Sequence, residues 1–373
     1  MYIEIFGEDL NMKTIQAYPE IQYGDAISGV MLAIHRIHSS LRWEDTMMAY
    51  ASQLPEAKTI SDLPNLPKRV LLSRFLSSRN KARLLAGQAR KGIAQAFDYR
   101  KAIGEADMRI WHLGITYKLM EHNIRKGDMV FFYGLNYPYA SSSPEAIIES
   151  YKALLWLRSL QPRMLVESRS VRRELERLGY GREEIRVLPL FHPYTNPFLN
   201  HDTKEPHLLA YGRYALNKRI PQLARACASG SLKLTVFGDN QKYEEFSQQY
   251  AEASKYAGKR ITLLGKQEKR ELFYWAANIY VCNSENEGFN IPLIEAEAFS
   301  LPVLARRGNA MDELVREGYN GYLFEDESEI PELAGRIMRD YKRFSHNAWR
   351  HSQGYTLAKF RERYLRMLKQ TKA

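Results

Sequence analysis

Two glutamates, Glu287 and Glu295, stand eight positions apart in the stretch NSENEGFNIPLIEAEAF, residues 283–299. The first precedes a glycine turn, and the second falls one turn inside the helix after it. IYVCNS reads as a buried strand, ENEGFN as the turn, and Pro292 sits where a proline opens a helix. The amides of Gly288, Phe289, Asn290 and Ile291, with the helix N-terminus, then point into a cleft and suit hydroxyl or phosphate oxygens. Glu287 can accept hydrogen bonds from sugar hydroxyls, and Glu295 can reach a vicinal diol such as a ribose. Taken alone, the pair fits solvated turn glutamates better than a substrate grip.

The elements that would position this pair are read from periodicity. Strand-like and helical runs alternate: KTIQAY, then GVMLAIHRIHSSL; MRIWHLG; DMVFFYG; RMLVES, then VRRELERLG; IRVLPLF. Such alternation predicts parallel sheets flanked by helices. A turn-rich stretch, FHPYTNPFLNHDTKEP, interrupts it and reads as a linker over 191–206. The pattern restarts with HLLAYGR, LKLTVFGD, RITLLG, ELFYWAA, IYVCNS and PVLARR. The expected fold is therefore α/β, two Rossmann-like domains in tandem over 1–190 and 207–352, with a ligand cleft between them. A last helix over 353–373 places Leu357, Phe360, Tyr364 and Met367 on one face, suited to packing elsewhere on the protein.

Bulk properties narrow the function. With 373 residues, 45% apolar and 26% charged, the chain reads as a soluble two-domain protein. No run of about 18 apolar residues suggests a membrane span, and the N-terminus does not read as a secretory signal, so a cytoplasmic place is expected. Cys227 and Cys282 have no metal or redox spacing and read as buried small residues. The histidines do not cluster; His35, His38, His346 and His351 read as helix-surface residues, and no metal site is expected.

The net charge of +11 calls for an acidic partner. Between residues 68 and 101 ten Lys or Arg face a single Asp98, a local charge of +9. Interleaved leucines and phenylalanines make these basic amphipathic helices that suit an anionic membrane surface, with Arg79, Lys81, Arg83, Arg90 and Lys91 at its centre. A solvated helical face fits the same residues, and nucleic acid is disfavoured because no recognition motif accompanies the charge.

The acidic stretch and its downstream continuation, NSENEGFNIPLIEAEAFSLPVLARRGNAMDELVREGYNGYLF, resemble the donor-binding segment of retaining glycosyltransferase family 4, a GT-B group that uses nucleotide sugars. YGRYALNKR is similar to the family's Gly-Arg followed by Lys, which implies that Arg213 and Lys218 hold the donor diphosphate. YGDAISGVMLAIHRI resembles the glycine loop before the first helix, with Gly24 and Gly29 approaching the diphosphate. LVESRSVRRELERLG resembles the segment that closes the first domain, and LLGKQEKRELFYWAA the loop and helix before the acidic motif, placing Gly265 and Lys266 near the nucleotide. The likeness runs from Met12 onward and thins between 45 and 107, where acceptor recognition is expected; residues 1–11 read as an extension. One departure stands out: where the family carries a histidine near the reacting sugar, FFYGLNYP has Gly134. His112 in RIWHLG is the candidate substitute, with Tyr133 and Asn136 on the acceptor side.

The resemblance implies transfer of a sugar from a nucleoside diphosphate to an acceptor hydroxyl with retained configuration, in bacterial-type cell-surface polysaccharide or glycolipid assembly. Protein groups would act by positioning and by charge stabilisation. No Asp-x-Asp occurs, which fits a metal-independent site without a resident cofactor. The acceptor would be a lipid-linked or other glycan, with an anionic membrane surface at hand and no nucleic acid. The competing readings are a nucleotide-sugar epimerase and a non-catalytic protein of the same fold that binds a nucleotide sugar or an anionic lipid.

Overall fold

The computed structural model describes residues 12–18, 26–49, 70–72, 104–113, 124–134, 144–201, 204–241 and 243–372. Among the described residues seven strands form the first sheet: β1 Lys13–Tyr18, β2 Glu44–Ala49, β3 Val70–Leu72, β4 Met108–Leu113, β5 Met129–Phe132, β6 Arg163–Val166 and β7 Ile185–Val187. Six form the second: β8 His207–Tyr211, β9 Lys233–Phe237, β10 Ile261–Leu264, β11 Ile279–Cys282, β12 Val303–Arg306 and β13 Gly321–Phe324. The orders are β3-β2-β1-β4-β5-β6-β7 and β10-β9-β8-β11-β12-β13, with every pairing parallel. Each order reverses once, between β1 and β4 and between β8 and β11. Ligands of such sheets bind at these switch points, beyond the carboxyl ends of the strands.

Sequence explains the central strands directly. MVFF and IYVC are buried at every position, as strands covered by helices on both faces must be. ELFYWAA, which the strand-like series includes, instead forms the helix Glu271–Ala276 that its resemblance implied. Apolar side chains fill both faces of each sheet.

The C-terminal helix Leu357–Lys372 leaves the second sheet and packs on the first. Phe360, Tyr364, Leu365, Met367 and Leu368 share one buried cluster with Val30, Met31, Ile34 and Ile37 of the helix Ala26–Ser40. Tyr364 Oη lies 2.8 Å from His38 Nε2, and Thr14 Oγ1 lies 3.0 Å from His38 Nδ1. His38 is thus a core residue, not a surface one, because a distant helix covers it. His351 is corrected in the same way: it is buried with Nδ1 2.7 Å from the Glu297 carboxylate.

The turn-rich segment before β8 is held against the second sheet's helices. Leu199 N–H donates to Ser300 Oγ at 2.9 Å, and Trp349 Nε1 donates to the Asn196 carbonyl at 3.0 Å.

Candidate active site

The loops after β8 and β11 leave adjacent strands at the second sheet's switch point. After β8 the chain passes Gly212 and Arg213 into a short 3₁₀ turn, Leu216–Lys218. A β-carbon on Gly238 would collide with the Gly212 carbonyl, so the turn after β9 nests directly on the turn after β8. Tyr214 N–H donates to the Asp239 carbonyl at 2.9 Å and fixes the same nesting. Lys218 then runs alongside Gly212, its Cε 3.6 Å from where a β-carbon would stand. Its ammonium meets the Glu287 carboxylate in a short ion pair, with the two side chains only 17% and 13% exposed. Lys218 and Glu287 therefore come together, as a shared site requires.

The acidic turn is fastened along its length. Glu285 N–H donates to the Asn217 carbonyl at 2.8 Å, and Ala310 N–H to the Glu287 carbonyl at 3.2 Å. Asn309 Nδ2 donates to Asn286 Oδ1 at 3.1 Å. Asn290 caps the helix Ile291–Ala298, its side chain accepting from Leu293 N–H at 2.9 Å while its Nδ2 reaches Cys282 Sγ at 3.0 Å. Pro292 occupies the first turn, as expected. Phe289 packs against apolar clusters of both sheets, and Ile291 against that of the first.

Glu295 is 2% exposed beneath Arg270, whose Nη1 lies 3.4 Å away, and it accepts from Tyr274 Oη at 3.0 Å. Burial pushes its pKa up, opposed by Arg270 and the tyrosine hydroxyl. Arg270 also stacks 5.3 Å over the Tyr211 ring. Glu295 is thus covered, not open to solvent, and Arg270 is the cation displayed above it. Gly265 lies beside Asn240, whose Oδ1 would stand 3.0 Å from an added β-carbon, whereas Lys266 is exposed.

From the first sheet, Gly134 follows β5 with φ +77°, and an added β-carbon would lie 3.6 Å from Gly288 Cα. The left-handed backbone and this close approach both favour glycine. His112 does not front the cleft. Its ring is fully buried, with Nδ1 2.8 Å from Tyr133 Oη and Nε2 3.2 Å from Gln16 Oε1. Tyr133 is buried with it, and its carbonyl lies 3.2 Å from where a β-carbon on Gly288 would stand. Gly29, expected in the glycine loop, lies in the first turn of the helix Ala26–Ser40. Gly24, Asn136 and Arg79, Lys81, Arg83, Arg90 and Lys91 lie outside the described residues.

Three features escaped the sequence reading. Glu313, from the DELV stretch, accepts from Arg169 N–H at 3.0 Å and Ser170 N–H at 2.6 Å, capping a first-sheet helix from the second-sheet side. Arg219, in left-handed backbone at φ 49°, holds Glu327 and Glu285 at 2.8 Å each just after Lys218. Glu167, directly after β6, is buried with its carboxyl against Gly288. Spacing carried a signal only for Arg219, adjacent to Lys218.

Residues 195–344 match the family described as glycosyl transferases group 1. This stretch is similar to a group 1 glycosyltransferase domain, and the match covers less than half of the chain. The Lys218–Glu287 pair and the Glu295–Arg270 pair both lie inside it. The chain is also similar to a probable sucrose-phosphate synthase of Thermosipho melanesiensis, 28% identical over 133 residues, covering 34% of this chain and 31% of that protein. An alpha-monoglucosyldiacylglycerol synthase of Acholeplasma laidlawii is 30% identical over 99 residues, 23% of this chain and 25% of that one. These alignments span a third or less of the curated relatives' length. Over the whole fold, an Anabaena HepE crystal structure in complex with UDP and glucose superposes with a TM-score of 0.69 at 17% identity, covering 96% of this chain and 100% of that chain. The two Rossmann-like units thus form a GT-B fold.

Proposed function

We propose that the protein is a retaining, metal-independent glycosyltransferase that moves a sugar from a nucleoside-diphosphate sugar to an acceptor hydroxyl. The observation that carries this reading is the Lys218–Glu287 ion pair at the switch point of a domain similar to group 1 glycosyltransferases. Glu287 orients the transferred sugar, and Lys218 with Arg213 balances the diphosphate charge that grows as the bond to the sugar breaks. Glu295 belongs to the ribose side, and Arg270, stacked on Tyr211, adds a further fixed cation there.

In this reading the acceptor oxygen attacks the anomeric carbon from the leaving-group face. The bond from that carbon to the diphosphate breaks, and the acceptor proton passes to the departing phosphate oxygen. The protein contributes positioning and charge. The domain division over 1–190, 191–206, 207–352 and 353–373 assigns the donor to the second unit and the acceptor to the first.

We further assign the reaction to cell-surface polysaccharide or glycolipid assembly, with a lipid-linked or glycan acceptor at an anionic membrane. The solved Anabaena relative is in complex with UDP and glucose, and the Acholeplasma relative is named for a glucosyldiacylglycerol, which makes UDP-glucose with a diacylglycerol-based acceptor the first combination to assay. Among the described residues no helix is long and apolar enough to cross a membrane, so contact through the basic segment is the mode proposed. A screen of nucleoside diphosphates and their sugars tests the donor assignment: a true ligand at a hundred times its Kd raises stability by about 2.7 kcal/mol. No shift with any nucleotide would remove the reading.

A further inference from the structure

Glu167 stands immediately beyond β6, at the carboxyl end of the first sheet, and is 2% exposed. Its carboxyl reaches the acidic turn of the second sheet. At Gly288 a β-carbon would first strike Glu167 Oε1, then the Tyr133 carbonyl at 3.2 Å and Glu167 Cδ at 3.4 Å. Gly134 closes the same spot, with Glu167 Oε1 3.8 Å from its β-carbon position. The other oxygen, Oε2, is buried without a hydrogen-bond partner among the described residues. Oε1, the oxygen that both Gly288 and Gly134 approach, is placed to act on the turn from the opposite sheet.

We propose that Glu167 is a positioning residue for the donor site: its carboxyl seats the Glu287–Gly288 turn against the first sheet and so fixes where the Lys218–Glu287 pair stands. The inference rests on the glycosyltransferase reading only for what that pair does, not for the seating itself.

The charges around Glu167 decide its form. Glu174 faces it from the adjoining helix and Glu287 from the turn, where Lys218 is already paired; Glu313 caps the N–H groups of Arg169 and Ser170 just beyond. Burial raises the Glu167 pKa to about 8, against a hydrogen bond from its own backbone, and Glu174 and Glu287 push it further in the same direction. A neutral acid can lie against the Gly288 backbone, whereas a carboxylate there would be desolvated and would repel Glu287. Seating should therefore weaken as pH rises through about 8. The stability sign agrees: the folded value stands above the ordinary 4.5, so stability is greatest below 4.5 and declines as pH climbs to about 8.

The test compares wild type, Glu167→Gln and Glu167→Ala without ligand. Hydrogen exchange of the peptide over 283–291 at pH 7 should quicken about tenfold in Glu167→Ala and stay within about twofold in Glu167→Gln. At pH 9 the wild type should exchange faster than Glu167→Gln. Should Glu167→Ala fail to fold, thermal unfolding of the other two decides: wild type should lose stability relative to Glu167→Gln between pH 5 and 9. Equal exchange in all three proteins, or parallel pH profiles of wild type and Glu167→Gln, would overturn the proposal. Calorimetry with UDP on the wild type is the separate arm: absent UDP binding with the exchange differences intact counts against the glycosyltransferase reading and leaves the seating standing.

Discussion

Lys218 and Glu287 are 69 residues apart in the chain, yet their side chains pair at the carboxyl ends of adjacent strands β8 and β11. The strand order that makes β8 and β11 neighbours brings a cation and a carboxylate to one switch point. Each holds the other in place before any ligand arrives, which is the preorganisation charge stabilisation needs.

Removing either cation should therefore slow chemistry more than it disturbs the fold. Lys218→Ala or Arg213→Ala is expected to lower kcat by about 10² or more, with Glu287→Gln in the same range. Steady-state kinetics beside circular dichroism checks this; near-normal turnover in a folded Lys218→Ala protein would remove the pair from the mechanism. Because Lys218 and Glu287 touch, the double variant should cost less than the sum of the two singles.

Chelation separates the proposed cation site from a metal site. In EDTA the rate should stay within about twofold, since a required metal would supply several kcal/mol of stabilisation. Loss of activity restored by magnesium or manganese is the contrary result.

The Glu327 cluster makes a pH prediction that is independent of substrate. Burial pushes the Glu327 carboxyl up, but hydrogen bonds from Asn283, Arg219 and Arg306 outweigh it and hold its pKa at about 2. The folded value is below the ordinary 4.5, so this stabilisation is present above 4.5 and is lost as pH falls toward about 2. Glu327→Gln should lower Tm at pH 7 and leave it nearly unchanged at pH 2. A Tm loss of the same size at both pH values would show that the cluster's charge is not what stabilises it.

How much of this was legible in the sequence depends on how local the cause is. MVFF and IYVC announce buried parallel strands, and Pro292 announces a helix start, because the deciding neighbours lie within a few residues. Cys282 was also readable as buried. Glu287's partner was not, since only sheet order decides which lysine meets it. His38 and His351 read as surface residues because Tyr364 and Glu297, which bury them, come from distant segments. His112 sits near a strand end, yet Tyr133 and Gln16 enclose it. Glu167 in LVES looks like an ordinary helix-start glutamate; its burial comes from a turn of the other sheet.

The basic segment over 68–101 carries a membrane prediction. Replacing Arg79, Lys81, Arg83, Arg90 and Lys91 by glutamine should release the protein from anionic vesicles, each cation contributing on the order of 1 kcal/mol near the surface. Nucleotide affinity should be unchanged. Equal sedimentation of both proteins with vesicles, or of neither, would assign these charges to a soluble acidic glycan instead.

The most direct measurement is transfer itself. UDP-glucose labelled in the sugar is incubated with a diacylglycerol-based acceptor and other candidate acceptors, and the anomeric configuration of the product is read by NMR. Label should enter an acceptor hydroxyl with the donor's configuration retained, in wild type but not in Lys218→Ala or Glu287→Gln. An inverted product, or transfer undiminished in both variants, would contradict the assignment of the Lys218–Glu287 pair as the centre of a retaining transferase.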